Sequence, residues 1–156
     1  MMSKGPIEFI THNAAETIAF GRRIGAGLRG GEIIALVGDL GTGKTHLVKG
    51  IVLGLDASDA GEVTSPTFVL VHEYLGCGGA KTIYHIDAYR IESTAEFEAL
   101  GFDEYCRPDT IVLVEWADKV LSALNGYDVI QLRLEHIGKS KRRISVYNPP
   151  DFLSAK

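Results

Sequence analysis

The chain has 156 residues, 46% of them hydrophobic and 23% charged, and carries a formal net charge of -4. Length and composition predict one globular domain over residues 1–156, large enough to bury an ordinary core. The acidic excess argues against a broadly basic protein that coats nucleic acid, and leaves room only for a local basic patch.

The opening MMSKGPIEFI lacks the apolar core of a signal peptide. No apolar stretch approaches the ~20 residues of a membrane span, so a cytoplasmic protein without membrane contact is expected. IEFI (7–10) reads as a first strand, and Asn13-Ala-Ala-Glu16 has capping-box spacing, which opens a helix. Ala14, Ile18, Gly21, Gly25 and Leu28 would form its inner face, the two glycines allowing close packing on a sheet. Gly30-Gly31 ends it. IIALVG (33–38) is a wholly apolar second strand, followed by a Gly-rich loop and a helix, KTHLVKGIVLGL (44–55). Leu47, Val48, Ile51, Val52 and Leu55 make that helix's buried stripe. Residues 56–66 are small and polar, and read as a loop.

FVLVHEY (68–74) and TIYHID (82–87) are expected strands joined by a turn at GCGG (76–79). Ser93-Thr-Ala-Glu96 is a second capping box, starting a helix to Leu100 that Gly101 stops. TIVLVE (110–115) is a buried strand, a helix is expected over 117–124, and DVIQLRLEHI and RRISVYN form a final hairpin around GKSK (138–141). Cys77 and Cys106 show no CxxC spacing and no neighbouring His/Cys cluster, so reduced thiols rather than zinc ligands are expected.

Gly38-Asp39-Leu40-Gly41-Thr42-Gly43-Lys44-Thr45 matches G-x-x-x-x-G-K-[ST] at every fixed position, between a strand and a helix. Backbone N–H groups of such a loop, together with the helix N-terminus, bind phosphate oxygens. Lys44 would sit between the β- and γ-phosphates, and Thr45 would offer its hydroxyl to Mg²⁺. The fold class that follows is α/β: a P-loop NTPase-like three-layer domain with a mixed sheet, parallel at its centre, and a C-terminal antiparallel hairpin.

Such a site needs a carboxylate at the end of a neighbouring strand, and two are available, Asp87 and Glu115. Glu115 ends the more apolar strand and is assigned to the metal. Asp87 shares a face with Ile83 and His85, and is assigned to orienting or activating water; the two roles can be exchanged. Trp116 either lids the site or fills core. Thr64-Ser65-Pro66-Thr67 follows Thr45 at the interval where switch-type P-loop proteins place a γ-phosphate sensor, and Thr67 or Ser65 would serve. Arg90, or a residue from a partner, would supply further positive charge in the transition state.

GDLGTGKT, TSPTFVLVHEY, YHIDAYR and LVEWADK stand in that order, and together they resemble the bacterial TsaE (YjeE) family over nearly the whole chain. The resemblance implies an ATPase component of the machinery that makes threonylcarbamoyladenosine in tRNA. Such a component binds ATP and Mg²⁺, hydrolyses ATP weakly alone, and works with the partner proteins TsaB and TsaD. It implies Gly38 to Thr45 as the nucleotide loop, Thr45 and Glu115 as metal ligands, Asp87 as the acid important for hydrolysis, and Trp116 beside the nucleotide. The chain departs from the family at His46, where a second Thr or Ser is usual, and in lacking a proline after Trp116. The backbone N–H of His46 can still meet the α-phosphate.

The rival readings are a small-molecule kinase and a nucleotide-dependent scaffold on the same P-loop. No arginine-rich lid insertion supports the kinase, and no N-K-x-D supports a GTPase. Lys139, Lys141, Arg142 and Arg143 are expected at a hairpin tip, either solvated or in weak contact with tRNA.

Overall fold

The computed structural model of the chain describes residues 5–38, 41, 43–57 and 71–154. Among these, seven strands form one sheet in the order β1-β7-β6-β2-β5-β4-β3. The strands are β1 (Ile7–Thr11), β2 (Ile33–Val37), β3 (Val71–Gly76), β4 (Lys81–Asp87), β5 (Thr110–Glu115), β6 (Val129–His136) and β7 (Arg142–Tyr147). β6, β2, β5 and β4 run parallel, while β3, β7 and β1 pair antiparallel outside them. The expected mixed sheet with a parallel centre and a C-terminal hairpin is therefore observed. β2 and β5, at the centre, are buried at every residue, as their unbroken apolar sequences require.

Helices α1 (Ala14–Gly27) and α2 (Lys44–Gly54) cover one face of the sheet. The short helices α3 (Thr94–Glu98) and α4 (Phe102–Tyr105) cover the other. A last turn, α5 (Asp151–Ser154), follows β7. Both capping boxes form. Asn13 Oδ1 accepts from Glu16 N–H at 2.8 Å, and Ser93 Oγ accepts from Glu96 N–H at 3.1 Å. In each, the glutamate reaches one residue further back than the cap, to His12 N–H and Glu92 N–H.

Three expectations need correction. The inner face of α1 is Thr17, Phe20, Gly21, Ile24 and Gly25, with Leu28 just beyond; Ala14 is exposed and Ile18 only half-buried. The glycines of α1 pack on α2 rather than on the sheet. A Cβ on Gly21 would lie 2.5 Å from Leu47 O, and one on Gly25 2.1 Å from Ile51 O. Reciprocally, a Cβ on Gly50 would lie 2.1 Å from Ile18 O and one on Gly54 2.3 Å from Arg22 O. Two G-x-x-x-G faces thus let the helix backbones touch.

The helix expected over 117–124 is instead two 3-10 turns, Ala117–Lys119 and Leu121–Leu124. Trp116 stands left-handed at φ 59, and Val120 at φ -131 interrupts the next turn, so no continuous i→i−4 ladder can form. The β3–β4 connection at Cys77–Gly79 takes positive φ at all three residues, 54, 68 and 93, the backbone that tight hairpin turns favour. The expected start of the third strand at 68–70 lies outside the described residues. Cys77 and Cys106 form no disulfide with each other.

Candidate functional site

The parallel strands bring Gly38 after β2, Asp87 at the end of β4, Glu115 at the end of β5 and His136 at the end of β6 to one edge of the sheet. Ligands of open α/β sheets bind beyond this carboxyl edge. A cleft of about 260 Å³ lies there, lined by Gly41, Gly43, Lys44, Thr45, Glu115 and Arg142 among others.

The floor is the phosphate-loop motif. Gly41 and Gly43 adopt φ 82 and φ 98, values that favour glycine, and Gly43 caps α2 without a side-chain hydrogen bond. The helix N-terminus is thus presented to the cleft. Lys44 is 94% buried, with only 6% of its surface exposed. Its ammonium donates to Gly38 O and lies 3.9 Å from the centre of the Trp116 ring. The expected Asp39, Leu40 and Thr42 of the loop lie outside the described residues, as do Ser65 and Thr67.

The carboxylates come from adjacent strands. Asp87 and Glu115 are register partners in the β4–β5 ladder, and the alternation of each strand puts them on the α1/α2 face. Glu115 Oε2 lies 2.6 Å from His85 Nε2, and both side chains are buried. The other oxygen of Glu115 has no hydrogen bond among the described residues, and Glu115 lines the cleft. Asp87 Oδ1 accepts from Tyr89 N–H at 2.8 Å. Burial raises the Asp87 pKa and the charge of Glu115 raises it further, while the Tyr89 N–H pulls it down.

Trp116 lines the cleft and also packs against the core on the α3/α4 side of the sheet. It is half-buried, beside Lys44 on one side and 4.8 Å from the Tyr89 ring on the other. Lys119 closes this stack, its ammonium 4.9 Å from the Tyr89 ring centre and donating to Tyr89 O. The exposed His46 also lines the cleft.

Two residues at this edge were not assigned to the site from the sequence. His85 fixes the Glu115 carboxylate; its place two residues before Asp87, on the same strand face, was the available signal. Arg142 was expected at the hairpin tip but reaches the phosphate loop, its Nη2 3.4 Å from Gly41 O. The signal was alternation: Arg142 shares a strand face with Ile144 and Val146, both fully buried. Among the described residues, no three His, Cys, Asp or Glu side chains cluster as metal ligands. The hydroxyl of Thr45 and the carboxylate of Glu115 are hard oxygen donors of the kind Mg²⁺ takes when phosphates and water complete its shell. No helix among the described residues is long and apolar enough to cross a membrane.

The family model of threonylcarbamoyl adenosine biosynthesis protein TsaE matches residues 11–144. A relative from Treponema pallidum, named tRNA threonylcarbamoyladenosine biosynthesis protein TsaE, is 36% identical over 138 residues, 88% of this chain and 97% of that protein. A Bacillus subtilis protein of the same name is 36% identical over 139 residues, 89% of this chain and 84% of its own. The crystal structure of Bacillus subtilis YdiB superposes with a TM-score of 0.75 at 29% identity, covering 99% of this chain and 92% of that one. With the family match spanning β2, the phosphate loop and both carboxylates, the chain belongs to the TsaE family and functions in the biosynthesis of threonylcarbamoyladenosine in tRNA.

Proposed function

We propose that the protein is a Mg²⁺-dependent ATPase that supports turnover of the threonylcarbamoyladenosine machinery, acting in the cytoplasm with TsaB and TsaD. The observation that carries this reading is the buried Lys44, held over the phosphate loop in the same cleft as Glu115. A buried ammonium that bonds the Gly38 carbonyl and faces an aromatic ring is poised to exchange these contacts for phosphate oxygens.

In this reading the glycine-lined backbone from Gly38 to Thr45, with the N–H of His46, cradles the phosphates. Lys44 stabilises charge on the β- and γ-phosphates as the bond to the leaving oxygen breaks. Thr45 and Glu115 would hold Mg²⁺, which when bound neutralises phosphate charge. His85 orients the Glu115 carboxylate by its 2.6 Å contact. Asp87 orients the attacking water, and its raised pKa brings it closer to a working proton acceptor. Thr67 would contact the γ-phosphate, and Trp116 would border the nucleotide.

The test is ATP turnover by the purified protein, alone and with TsaB and TsaD, with and without tRNA. Weak turnover alone and stimulation by the partners is the expected result. Turnover indifferent to both partners would favour a stand-alone kinase or a nucleotide-gated scaffold.

A further inference from the structure

The turn that follows Asp87 is held from outside by the turn that follows Glu115. Asp87 ends β4, and its Oδ1 accepts from Tyr89 N–H at 2.8 Å, as in an Asx turn. Among the described residues this is the one hydrogen bond to the Asp87 carboxyl. The direction of that carboxyl therefore depends on where the Tyr89 peptide stands. Ala88 is anchored, its N–H donating to Glu115 O at 3.0 Å. Tyr89 itself is 48% exposed, so core packing alone does not fix it.

The hold on Tyr89 comes from residues 116–119. The Lys119 ammonium donates to Tyr89 O and lies 4.9 Å from the centre of the Tyr89 ring. The Trp116 ring packs on the same ring at 4.8 Å between centres. Lys119 N–H donates to Trp116 O at 3.1 Å, and an i→i+3 turn of this kind brings side chains three apart to one side. Tyr89 is thus gripped at its ring and at its carbonyl, while its N–H holds Asp87. Neither Tyr89 nor Lys119 is among the described residues that line the cleft.

We propose that Lys119 and Tyr89 are positioning residues for Asp87. The ammonium and the stacked ring fix the Tyr89 peptide, and its N–H keeps the Asp87 carboxyl in one orientation. The proposal rests on the reading above in which Asp87 orients the attacking water. A group with that task has to be held closely, because a small misplacement of reacting partners is costly in rate. An ammonium can hold an exposed carbonyl because its hydrogen bond is charge-assisted, and the ring face adds a cation–π contact. Trp116 also meets the Lys44 ammonium, at 3.9 Å from its ring centre, so Lys119 is the cleaner handle on this brace.

The experiment measures single-turnover ATP hydrolysis and ADP affinity, by calorimetric titration, with thermal melting of each protein. It compares wild type, Lys119→Ala, Lys119→Arg, Asp87→Asn and the double variant Lys119→Ala with Asp87→Asn. Lys119 is exposed, so its variants should fold. Lys119→Ala should lower the saturating rate constant about tenfold, the low end of what losing an outer partner costs, and leave the ADP Kd unchanged. Lys119→Arg can donate to the same carbonyl and stack on the same ring, and should recover most of the rate. In the Asp87→Asn background, removing Lys119 should make no further difference, because the carboxylate on which it acts is gone. Tyr89→Ala should copy Lys119→Ala, and Tyr89→Phe should restore the rate, since ring and peptide carry the contacts. A rate that survives Lys119→Ala, or that falls equally in both backgrounds, overturns the proposal. A loss carried by the ADP Kd also overturns it, because the turn would then serve nucleotide binding. Hydrolysis undiminished in Asp87→Asn alone would refute the water-orienting role of Asp87, a failure read from a different variant.

Discussion

His85 Nε2 lies 2.6 Å from Glu115 Oε2 with both side chains out of solvent, on adjacent parallel strands. Among the described residues His85 Nδ1 is buried with no hydrogen-bond partner, and the ring's hydrogen bond there is to the carboxylate. The ring of His72, on β3, stands edge-on at 6.3 Å between centres; burial first, then the nearby His85, lowers the His72 pKa. An imidazole held this way fixes the direction in which Glu115 presents its second oxygen. His85→Ala should weaken Mg²⁺ affinity in the nucleotide complex by about 10–100-fold, the usual cost of losing such an outer partner. It should also lower stability by about 1–3 kcal/mol, because a buried acceptor is left unsatisfied. Nucleotide affinity measured without Mg²⁺ should hold. Equal losses with and without the metal would show a general collapse of the site instead.

Asp87 couples stability to pH. Its pKa is raised by burial and by Glu115, so the folded protein binds this proton more tightly than the unfolded chain does. The contribution favours folding below the ordinary carboxylate range of about 4 and is lost as pH rises through the raised value. Asp87→Asn keeps an Oδ1 acceptor for Tyr89 N–H and removes the buried charge. It should therefore melt higher than wild type at neutral pH, with the gain vanishing in acid, while ATP hydrolysis falls. A lower melting temperature at neutral pH would mean that the charge is stabilised by contacts other than these.

The α1–α2 contact has no room for a methyl group. A Cβ on Gly50 would meet Ile18 O at 2.1 Å, and main chain cannot turn aside as a side chain can. Gly50→Ala should cost about 1–3 kcal/mol through overpacking, although alanine is the better helix former by about 1 kcal/mol. Gly5→Ala, where nothing lies within 4 Å, is the matched control and should melt like wild type. Chemical denaturation of the three proteins decides the matter; a stabilised Gly50→Ala would mean that the helices separate at little cost.

Lys44 and Trp116 supply an intrinsic reporter. Trp116 is the chain's single tryptophan, and the Lys44 ammonium lies 3.9 Å from its ring centre. A nucleotide that draws Lys44 onto its phosphates removes that cation from the ring, so tryptophan emission should change on addition of ATP or ADP. Lys44→Ala should begin with altered emission, respond little to nucleotide, and lose about 10²–10³ in turnover. Emission that follows nucleotide equally well without Lys44 would locate the sensing elsewhere.

Much of this architecture could be read along the chain because local chemistry repeats at short range. The apolar runs of β2 and β5, the stripe of α2, the caps at Asn13 and Ser93 and the loop from Gly38 to Thr45 each depend on neighbours a few residues away. The stretch after Glu115 was misread for the converse reason. Residues 117–124 are compatible with helix, but the left-handed Trp116, packed between Lys44 and Tyr89, sets a different path.

Sequence alone determined that a phosphate loop lies between a buried strand and a helix, and that two carboxylates stand at strand ends, Glu115 after an apolar run and Asp87 after an alternating one. Which residues meet there was decided by strand order and register. Parallel pairing of β4 with β5 brings Asp87 level with Glu115 and lets His85 bond it; antiparallel pairing of β6 with β7 sets Arg142 opposite His136 beside Gly41. Those contacts join residues 30 and 101 positions apart. Hydrogen bonding between strands, rather than any spacing along the chain, sets such distances, because a shift of one residue in register would turn each of these side chains to the other face of the sheet.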